Sequence, residues 1–370
     1  MRSIGIIAEF NPFHEGHRYL IENAVRASRA DFVICVMSGD FTQRGEPALE
    51  DKWKRAEKAV LGGADVVFEL PAVYALGNAG TFAEGGVRIL EGLGVDILAF
   101  GSESGDLSEL SRAAEFLNDQ QALDPVIREE IKRGASYPKA RMDALKQIHP
   151  EIGEEILQQP NNILAIEYLR RIRNMTPYTV QRKGTSYHDQ AEAIRRRARE
   201  EDPVRFEHID RIFFDLLRAA VVLAEPERLE TLPSAGSGLG WKLKNELPYA
   251  ESTEDLIRRI KSKAFTRTRI SRLLTQAVLG LYPDPEWEIG MYARLLAASA
   301  EGREWIRETK SREGLKIPII TNINRVDFFD ENIKKTLKRD IQCADIYNII
   351  TSSDLYERSD HVVSPYIGAE

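Results

Sequence analysis

At 370 residues and 43% apolar content, the chain is long enough for two or three packed cores, and no apolar run approaches the ~20 residues of a membrane span. A net charge of −7 argues against a uniformly basic nucleic-acid-binding surface. Two cysteines, Cys35 and Cys343, are too few for a disulfide framework or a cysteine-based zinc site; with an N-terminus that enters a strand without a basic-plus-apolar leader, they predict a cytosolic protein.

The first hundred residues alternate strand and helix. Ile4–Phe10 reads as a first strand, ended by an Asn11-Pro12 turn, and Arg18 to Ala27 has the apolar spacing of a helix. A second apolar run, Phe32–Met37, stops at Ser38-Gly39-Asp40. Lys52 to Leu61 reads as a helix closed by Gly62-Gly63. Asp65–Pro71 is a third strand, Ala83–Leu93 a helix and Val95–Gly101 a fourth strand. Short, continuously apolar strands between helices predict a parallel sheet covered on both faces. Ligands of such sheets bind beyond the strands' carboxyl ends, so Asn11 to His17, Ser38 to Asp40 and Gly101 to Ser104 are expected to line one crevice.

Leu107 to Ile148 reads as two or three helices, Pro160-Asn161-Asn162 as the cap of a helix from Ile163 to Ile172, Tyr178–Arg182 as a fifth strand, and Ala191–Glu200 as a charged helix. Beyond residue 203 the pattern becomes helical. Phe206–Leu223 is a helix, Thr231–Thr253 a Gly-, Pro- and Ser-rich loop, and Glu254–Leu281 a long basic helical pattern. Tyr292–Ser299 and Glu301–Lys310 read as helices, Ile317–Thr321 as a strand and Glu331–Ile349 as a closing helix. From Leu256 to Pro283 there is no acidic residue, while Arg258, Arg259, Lys261, Lys263, Arg267, Arg269 and Arg272 are basic. On one continuous helix Arg258, Lys261, Arg269 and Arg272 would share a face that could track phosphates.

The most informative stretch is His14-Glu15-Gly16-His17, at the junction of the first strand and first helix. A helix N-terminus presents free N–H groups and the positive end of its dipole, and a glycine admits a ligand close to the backbone. Zinc is disfavoured, because the zincin pattern needs histidines at i and i+4 within a helix. An imidazole N-terminal cap is a second reading, and phosphate binding at a site of adenylyl transfer is the favoured one.

Phe10-Asn11-Pro12-Phe13-His14-Glu15-Gly16-His17 resembles the signature of the HxGH nucleotidyltransferases. Val36 to Ala48, Glu69-Leu70-Pro71, Phe100-Gly101-Ser102-Glu103, Pro160 to Leu164, Ser186-Tyr187-His188-Asp189 and Lys261 to Ile270 narrow the resemblance to the tRNA(Met) cytidine acetate ligases, in order and over nearly the whole chain. The fold this implies is an HxGH nucleotidyltransferase-like doubly wound parallel sheet over residues 1–203, used for adenylation, and a mostly helical tRNA-binding domain over residues 204–370. The activity it implies is a two-step ligase. ATP and acetate give acetyl-adenylate and pyrophosphate, and the acetyl group passes to N4 of the wobble cytidine of elongator tRNA(Met), with no acetyl-CoA.

The resemblance carries the ATP contacts onto Ile7-Ala8-Glu9-Phe10-Asn11-Pro12-Phe13-His14-Glu15-Gly16-His17-Arg18-Tyr19-Leu20, Gly101, Asn162, Arg182 and Lys183. His14 and His17 suit developing charge on the phosphates, where loss of one donor typically costs about 2.7–4 kcal/mol of barrier. Arg182 suits a phosphate. Arg44 is expected to attract the acetate carboxylate, and Asp40 to orient a donor or the incoming amine. His188 beside Asp189 reads equally as a general base or a structural pair. Mg²⁺ is implied by the charge on ATP, and no protein metal site is expected. The superfamily's second phosphate motif is rich in Ser and Thr, whereas the equivalent Asp189 to Arg195 keeps only the Ile-Arg pair and places Glu192 beside it, leaving Arg195 as the candidate phosphate ligand. The rival readings are a small-metabolite adenylyl- or cytidylyltransferase and an RNA-binding relative with impaired catalysis. The anticodon base calls for a stacking aromatic, with Phe13, Tyr187 and Phe265 as candidates. The sequence assigns no oligomeric state.

Overall fold

The computed structural model describes residues 1–182, 186–286 and 288–368, with the backbone alone at 138, 154 and 186–190. Its sheet is built from β1 (Ser3–Ala8), β2 (Phe32–Ser38), β3 (Val66–Leu70), β4 (Ile97–Ser102), β5 (Thr176–Gln181), β6 (Ala293–Ala298), β7 (Ile319–Ile320) and β8 (Tyr366–Ile367). The spatial order is β5-β4-β1-β2-β3-β6-β7, with β8 also on β6. From β1 the chain steps outward through β2 and β3, then returns to lay β4 and β5 on the opposite flank, all in parallel. The crevice between β1 and β4 is therefore the topological switch point, where an α/β sheet opens for a ligand.

Alternate residues of each strand serve opposite faces, as the two-residue period requires. Ile4, Ile6, Val33, Cys35 and Met37 pack with Ile21 and Ala24 of helix α1 (Glu15–Ser28) and with Ala56 and Ala59 of α2 (Lys52–Leu61). Ile7, Ile34, Val36, Val66 and Phe68 face the other layer, which includes α3 (Ala79–Gly92), α4 (Pro160–Leu169), three helices between Leu107 and Ile148, and Trp305 from Ala300–Ser311. The sheet is thus doubly wound, as expected. A second core gathers α5 (Pro203–Leu223), α6 (Thr253–Ile260), α7 (Arg267–Val278) and α8 (Glu331–Ile350). Phe41 and Leu76, from the sheet side, are buried in it. Among the described residues no helix is long and apolar enough to cross a membrane.

Three local expectations give way. Tyr292–Ser299, rich in helix-forming Ala and Leu, is strand β6, antiparallel to β3 and wholly buried; packing on both faces overrides propensity. Thr231–Thr253 is not a plain loop, because Leu239–Glu246 is helical and buries Leu239 and Leu243. The basic pattern from Glu254 to Leu281 is two helices rather than one, since Thr266 caps α7 by accepting from the Arg269 N–H at 3.3 Å.

The carboxyl end of β2 leads into a buried ionic cluster. Lys52 Nζ donates to Glu69 Oε1 at 2.8 Å and to Asp360 Oδ2 at 2.7 Å, and Arg294 Nη1 reaches the same Asp360 oxygen at 2.7 Å and Glu69 Oε2 at 3.1 Å. Beside it the Arg55 guanidinium donates to the carbonyls of Glu9 (2.6 Å), Ser38 (3.2 Å), Gly39 and Glu50 (2.9 Å), tying the ends of β1 and β2 together. Asp40 Oδ2 lies 3.8 Å from the same Lys52 Nζ, so the charges are balanced only as a set. A Lys52→Met variant leaves Glu69 and Asp360 under-compensated, and its unfolding free energy by urea titration is expected to fall by about 3–5 kcal/mol.

Candidate active site

The β1–α1 connection passes through Phe10 in the left-handed region (φ 46°) and a cis Asn11–Pro12 bond, then starts α1 with His14 as its N-cap. A helix start leaves backbone N–H groups without partners. Two imidazoles satisfy two of them here, in the reciprocal manner of a capping box. His14 Nδ1 accepts from the Gly16 N–H at 3.0 Å, and His17 Nδ1 accepts from the His14 N–H at 3.2 Å. A nitrogen that accepts carries no proton, so each neutral ring holds its proton on Nε2. The rings stack with centroids 3.9 Å apart at 30°. Phe10 meets His17 edge-on at 4.9 Å, and Phe13 lies 5.6 Å from it. Gly62, the closing residue of α2, makes room for this packing, because a Cβ there would stand 2.2 Å from the Phe13 ring. Phe13 is thereby packed, partly buried, against the core beneath α1.

Burial depresses both imidazoles. His14 is lowered to about 4, by burial first and then by Arg182 and Arg195. His17 is lowered by burial, then by His14 and Arg182. Two neutral Nε2–H donors beside two arginines form an anion-receptive corner that holds its imidazole protonation state through neutral pH.

A cleft at the switch point is lined by His14, Gly16, His17, Tyr19, Leu20, Gly101 and Arg182, together with Val180 and Gln181. The last two were not expected, although the parallel register Gly101↔Val180 makes them neighbours of the β4 end. Arg195 also reaches this corner: its Nη1 donates to the Asn11 carbonyl at 2.7 Å, while Glu192 is exposed. The segment that lost its hydroxyl residues therefore still delivers its arginine to the strand–helix turn.

The other expected residues divide. Asn162 is buried, and its Oδ1 accepts from the Glu103 and Ser104 N–H groups at 2.9 and 3.2 Å, which shapes the loop after β4. Glu9 is held by the Gln43 N–H at 2.5 Å. Burial pushes its carboxyl up, against the pull of Arg44. Arg44 is half-exposed and acts electrostatically on Glu9 and Arg195, so it stands at the edge of the same turn. Asp40 faces away from the cleft. It is 6% exposed, and its Oδ1 accepts from the Lys52 N–H at 2.8 Å. Burial pushes its carboxyl up to about 6. The Ser38–Asp40 strand end thus feeds the ionic cluster and not the crevice it was expected to line. Lys183 and the side chains of Tyr187, His188 and Asp189 lie outside the described residues. Among the described residues no group of three or more His, Cys, Asp or Glu converges as a metal site.

The break between α6 and α7 redistributes the basic run. Arg258, Lys261, Lys263 and Arg267 are exposed. Arg258 pairs with Asp255 at 3.2 Å and Arg267 with Glu254, acids that lie just before the acid-free stretch. Arg269 and Arg272, expected to face phosphates, turn inward. Arg269 donates to the carbonyls of Ser234 (2.9 Å), Ala235 and Gly236 (3.3 Å), and Arg272 to that of Gln43 at 3.2 Å. Phe265 lies against the Arg269 guanidinium, 5.2 Å from its centre. Thr275 donates to the Gly45 carbonyl at 2.8 Å, and a Cβ at Gly45 would stand 2.3 Å from the Arg272 nitrogen, so only glycine lets this loop seat on α7.

The HIGH Nucleotidyl Transferase family matches residues 1–199 and 191–361. The chain is 34% identical to the tRNA(Met) cytidine acetate ligase of Thermoanaerobacter sp. (strain X514), over 94% of this chain and 95% of that one. It is 36% identical to the tRNA(Met) cytidine acetate ligase of Syntrophotalea carbinolica, over 88% of this chain and 86% of that one. It is similar to a crystal structure of Thermotoga maritima TmcAL bound with alpha-thio ATP, with a TM-score of 0.87 at 29% identity and 100% of both chains covered.

The depressed His14 sets a sign for acid stability. Its folded pKa of about 4 lies below the ordinary 6.5, so between those values the unfolded chain binds more protons and stability rises with pH. Asp40, raised to about 6 from 3.8, acts in the opposite sense over much of that window. Comparison with His14→Asn, which keeps a capping acceptor but cannot titrate, isolates the imidazole. Wild type is expected to lose more stability than the variant between pH 7 and 4.5, read by urea midpoints. The His14 ring signals should titrate near pH 4 by NMR and report the Nε2–H tautomer at pH 7.

Proposed function

The chain belongs to the tRNA(Met) cytidine acetate ligase family, within the HIGH nucleotidyltransferases, and on that premise we propose that it joins acetate to tRNA(Met) in an ATP-dependent reaction, through acetyl-adenylate. The observation that carries this reading is the corner at the switch point, where two stacked Nε2–H imidazoles, the N-terminus of α1 and Arg182 line one cleft, and Arg195 reaches the adjoining turn at Asn11.

In the first step an acetate oxygen attacks the α-phosphorus of ATP, the P–O bond to the β-phosphate breaks, and pyrophosphate leaves. Acetate is a weak nucleophile repelled by the triphosphate, so the step depends on positioning and charge neutralisation. His14 and His17 donate through Nε2 to phosphate oxygens as charge develops, with the positive end of the α1 dipole behind them, and Arg182 and Arg195 supply full positive charge. Mg²⁺ on the phosphate oxygens neutralises further charge when it is bound. Arg44, beside Glu9 and Arg195, is the proposed partner of the acetate carboxylate. In the second step the cytidine N4 attacks the acetyl carbonyl, AMP leaves with the C–O electron pair, and the amine gives up a proton. Acetyl-CoA has no part in this scheme.

The tRNA is proposed to approach over the helices that follow residue 203. Arg258, Lys261, Lys263 and Arg267 are their phosphate-binding side chains, while Arg269 holds the Ser234–Gly236 turn and Arg272 the loop at Gln43. The boundary near residue 203 between adenylation and docking segments belongs to the same proposal, with β6 to β8 serving the first of them although they come later in the chain. The wobble cytidine N4 of the elongator tRNA is the proposed acceptor.

Acetate-dependent exchange of pyrophosphate into ATP, followed by transfer of labelled acetate to tRNA(Met), tests the chemistry. Exchange and transfer are both expected. Absence of exchange with acetate would overturn the ligase reading, and exchange without transfer would favour a small-molecule acceptor. A His17→Ala variant is expected to lose about 10²–10³ in exchange rate. For docking, the slope of log affinity against log salt is expected to fall by about 0.7–0.9 for each phosphate that is no longer neutralised. Lys261→Ala and Lys263→Ala should therefore flatten the salt dependence and leave the fold intact, whereas Arg269→Ala should lower the melting temperature.

A further inference from the structure

Glu103 stands behind the cleft rather than in it. Its carboxylate closes the open start of α4: Oε1 accepts from the Asn161 N–H at 3.2 Å and Oε2 from the Asn162 N–H at 2.8 Å. The same Oε1 accepts from the Asn161 side-chain Nδ2 at 2.6 Å. An ionised carboxylate only accepts, so it fixes the Asn161 amide with its nitrogen toward Glu103 and its oxygen turned away. That oxygen accepts from Arg182 Nη1 at 3.2 Å. The Arg182 stem lies over Gly101, whose added Cβ would sit 3.4 Å from Arg182 Cγ, and its guanidinium acts electrostatically on both His14 and His17. Burial pulls the Arg182 guanidinium down and Glu103 pulls it up.

We propose that Glu103 is a positioning residue, acting through Asn161 to aim the Arg182 guanidinium at the phosphates of the bound nucleotide. The chain is directional. Glu103 sets the amide's orientation, the amide oxygen takes one of the five guanidinium N–H donors, and the remaining donors point to the cleft. If Asn161 were free to flip, its NH₂ would face the guanidinium, donor against donor. Glu103 touches no reacting atom, so its effect appears in ATP affinity before it appears in turnover.

This inference rests on the ATP-dependent reading above, and the two fail separately: wild-type protein without acetate-dependent exchange removes that reading before any variant is made. With wild-type exchange in hand, Glu103→Gln and Asn161→Ala are each expected to raise the KM for ATP about tenfold, the effect of one charge-assisted hydrogen bond, with a much smaller change in kcat. Asn161→Ala leaves the backbone N–H groups at the start of α4 in place, so it carries the test if Glu103→Gln does not fold. Each substitution is then combined with Arg182→Lys. A path through Arg182 predicts that the combined effect is well below the product of the single ones. Unchanged KM for ATP in a folded Asn161→Ala, or single effects that multiply to within about twofold, would overturn the positioning role and leave Glu103 as a helix cap.

Discussion

The geometry of the candidate site depends on the way α1 begins. Most helices close their first turn with a hydroxyl or a carboxylate. This one uses His14 and His17, each accepting a backbone N–H through Nδ1. That choice fixes ring orientation, tautomer and charge state together. A carboxylate cap would satisfy the backbone equally well and present no donor to a ligand. The imidazole cap commits one nitrogen to the fold and leaves the other, with its proton, facing the cleft. Phe10 and Phe13 hold the stack from behind, so the donors are set before a ligand arrives, as electrostatic preorganisation requires.

Around this turn the sheet's winding order gathers contributions from distant parts of the chain. β4 brings Gly101, β5 brings Arg182, and the helix Ser186–Glu201 brings Arg195. The loop after β2 takes a different course. It carries Phe41 into the second core and seats Gly45 on α7. The helical part is therefore not hung from a flexible tether. It is clamped onto a loop that begins at a strand end of the first sheet, with Arg272 as one of the clamps.

The early sheet was legible because each strand is a continuous apolar run with a Gly, Pro or Ser stop, and α2 could be placed from its closing glycines. The His14–His17 turn was legible as a strand–helix junction, and the imidazole cap, the second of its readings in the sequence, is what the structure shows there. β6 was not legible. Ala293-Arg294-Leu295-Leu296-Ala297-Ala298 has helical composition, and only the open edge of β3 makes it a strand. Arg269 and Arg272 were misread for a related reason: a sequence gives the spacing of cations along a helix, but not which carbonyls wait opposite them. Asp40 failed likewise. Its carboxylate answers to the Lys52 backbone, a partner identified only once the loop is folded. The phosphate segment near Glu192 illustrates the converse, since the loss of hydroxyls was visible while the reach of Arg195 to Asn11 was not.

Asp360 meets Lys52 across 308 positions of sequence, and it meets Arg294 in the same buried cluster. During synthesis the first sheet and α2 leave the ribosome long before the carboxylate that completes their charge balance. Until Asp360 emerges, the Lys52–Glu69 pair lacks one of its buried partners. The cluster at the carboxyl ends of β2 and β3 is thus begun by Lys52 and Glu69 and closed by a carboxylate encoded some three hundred positions later.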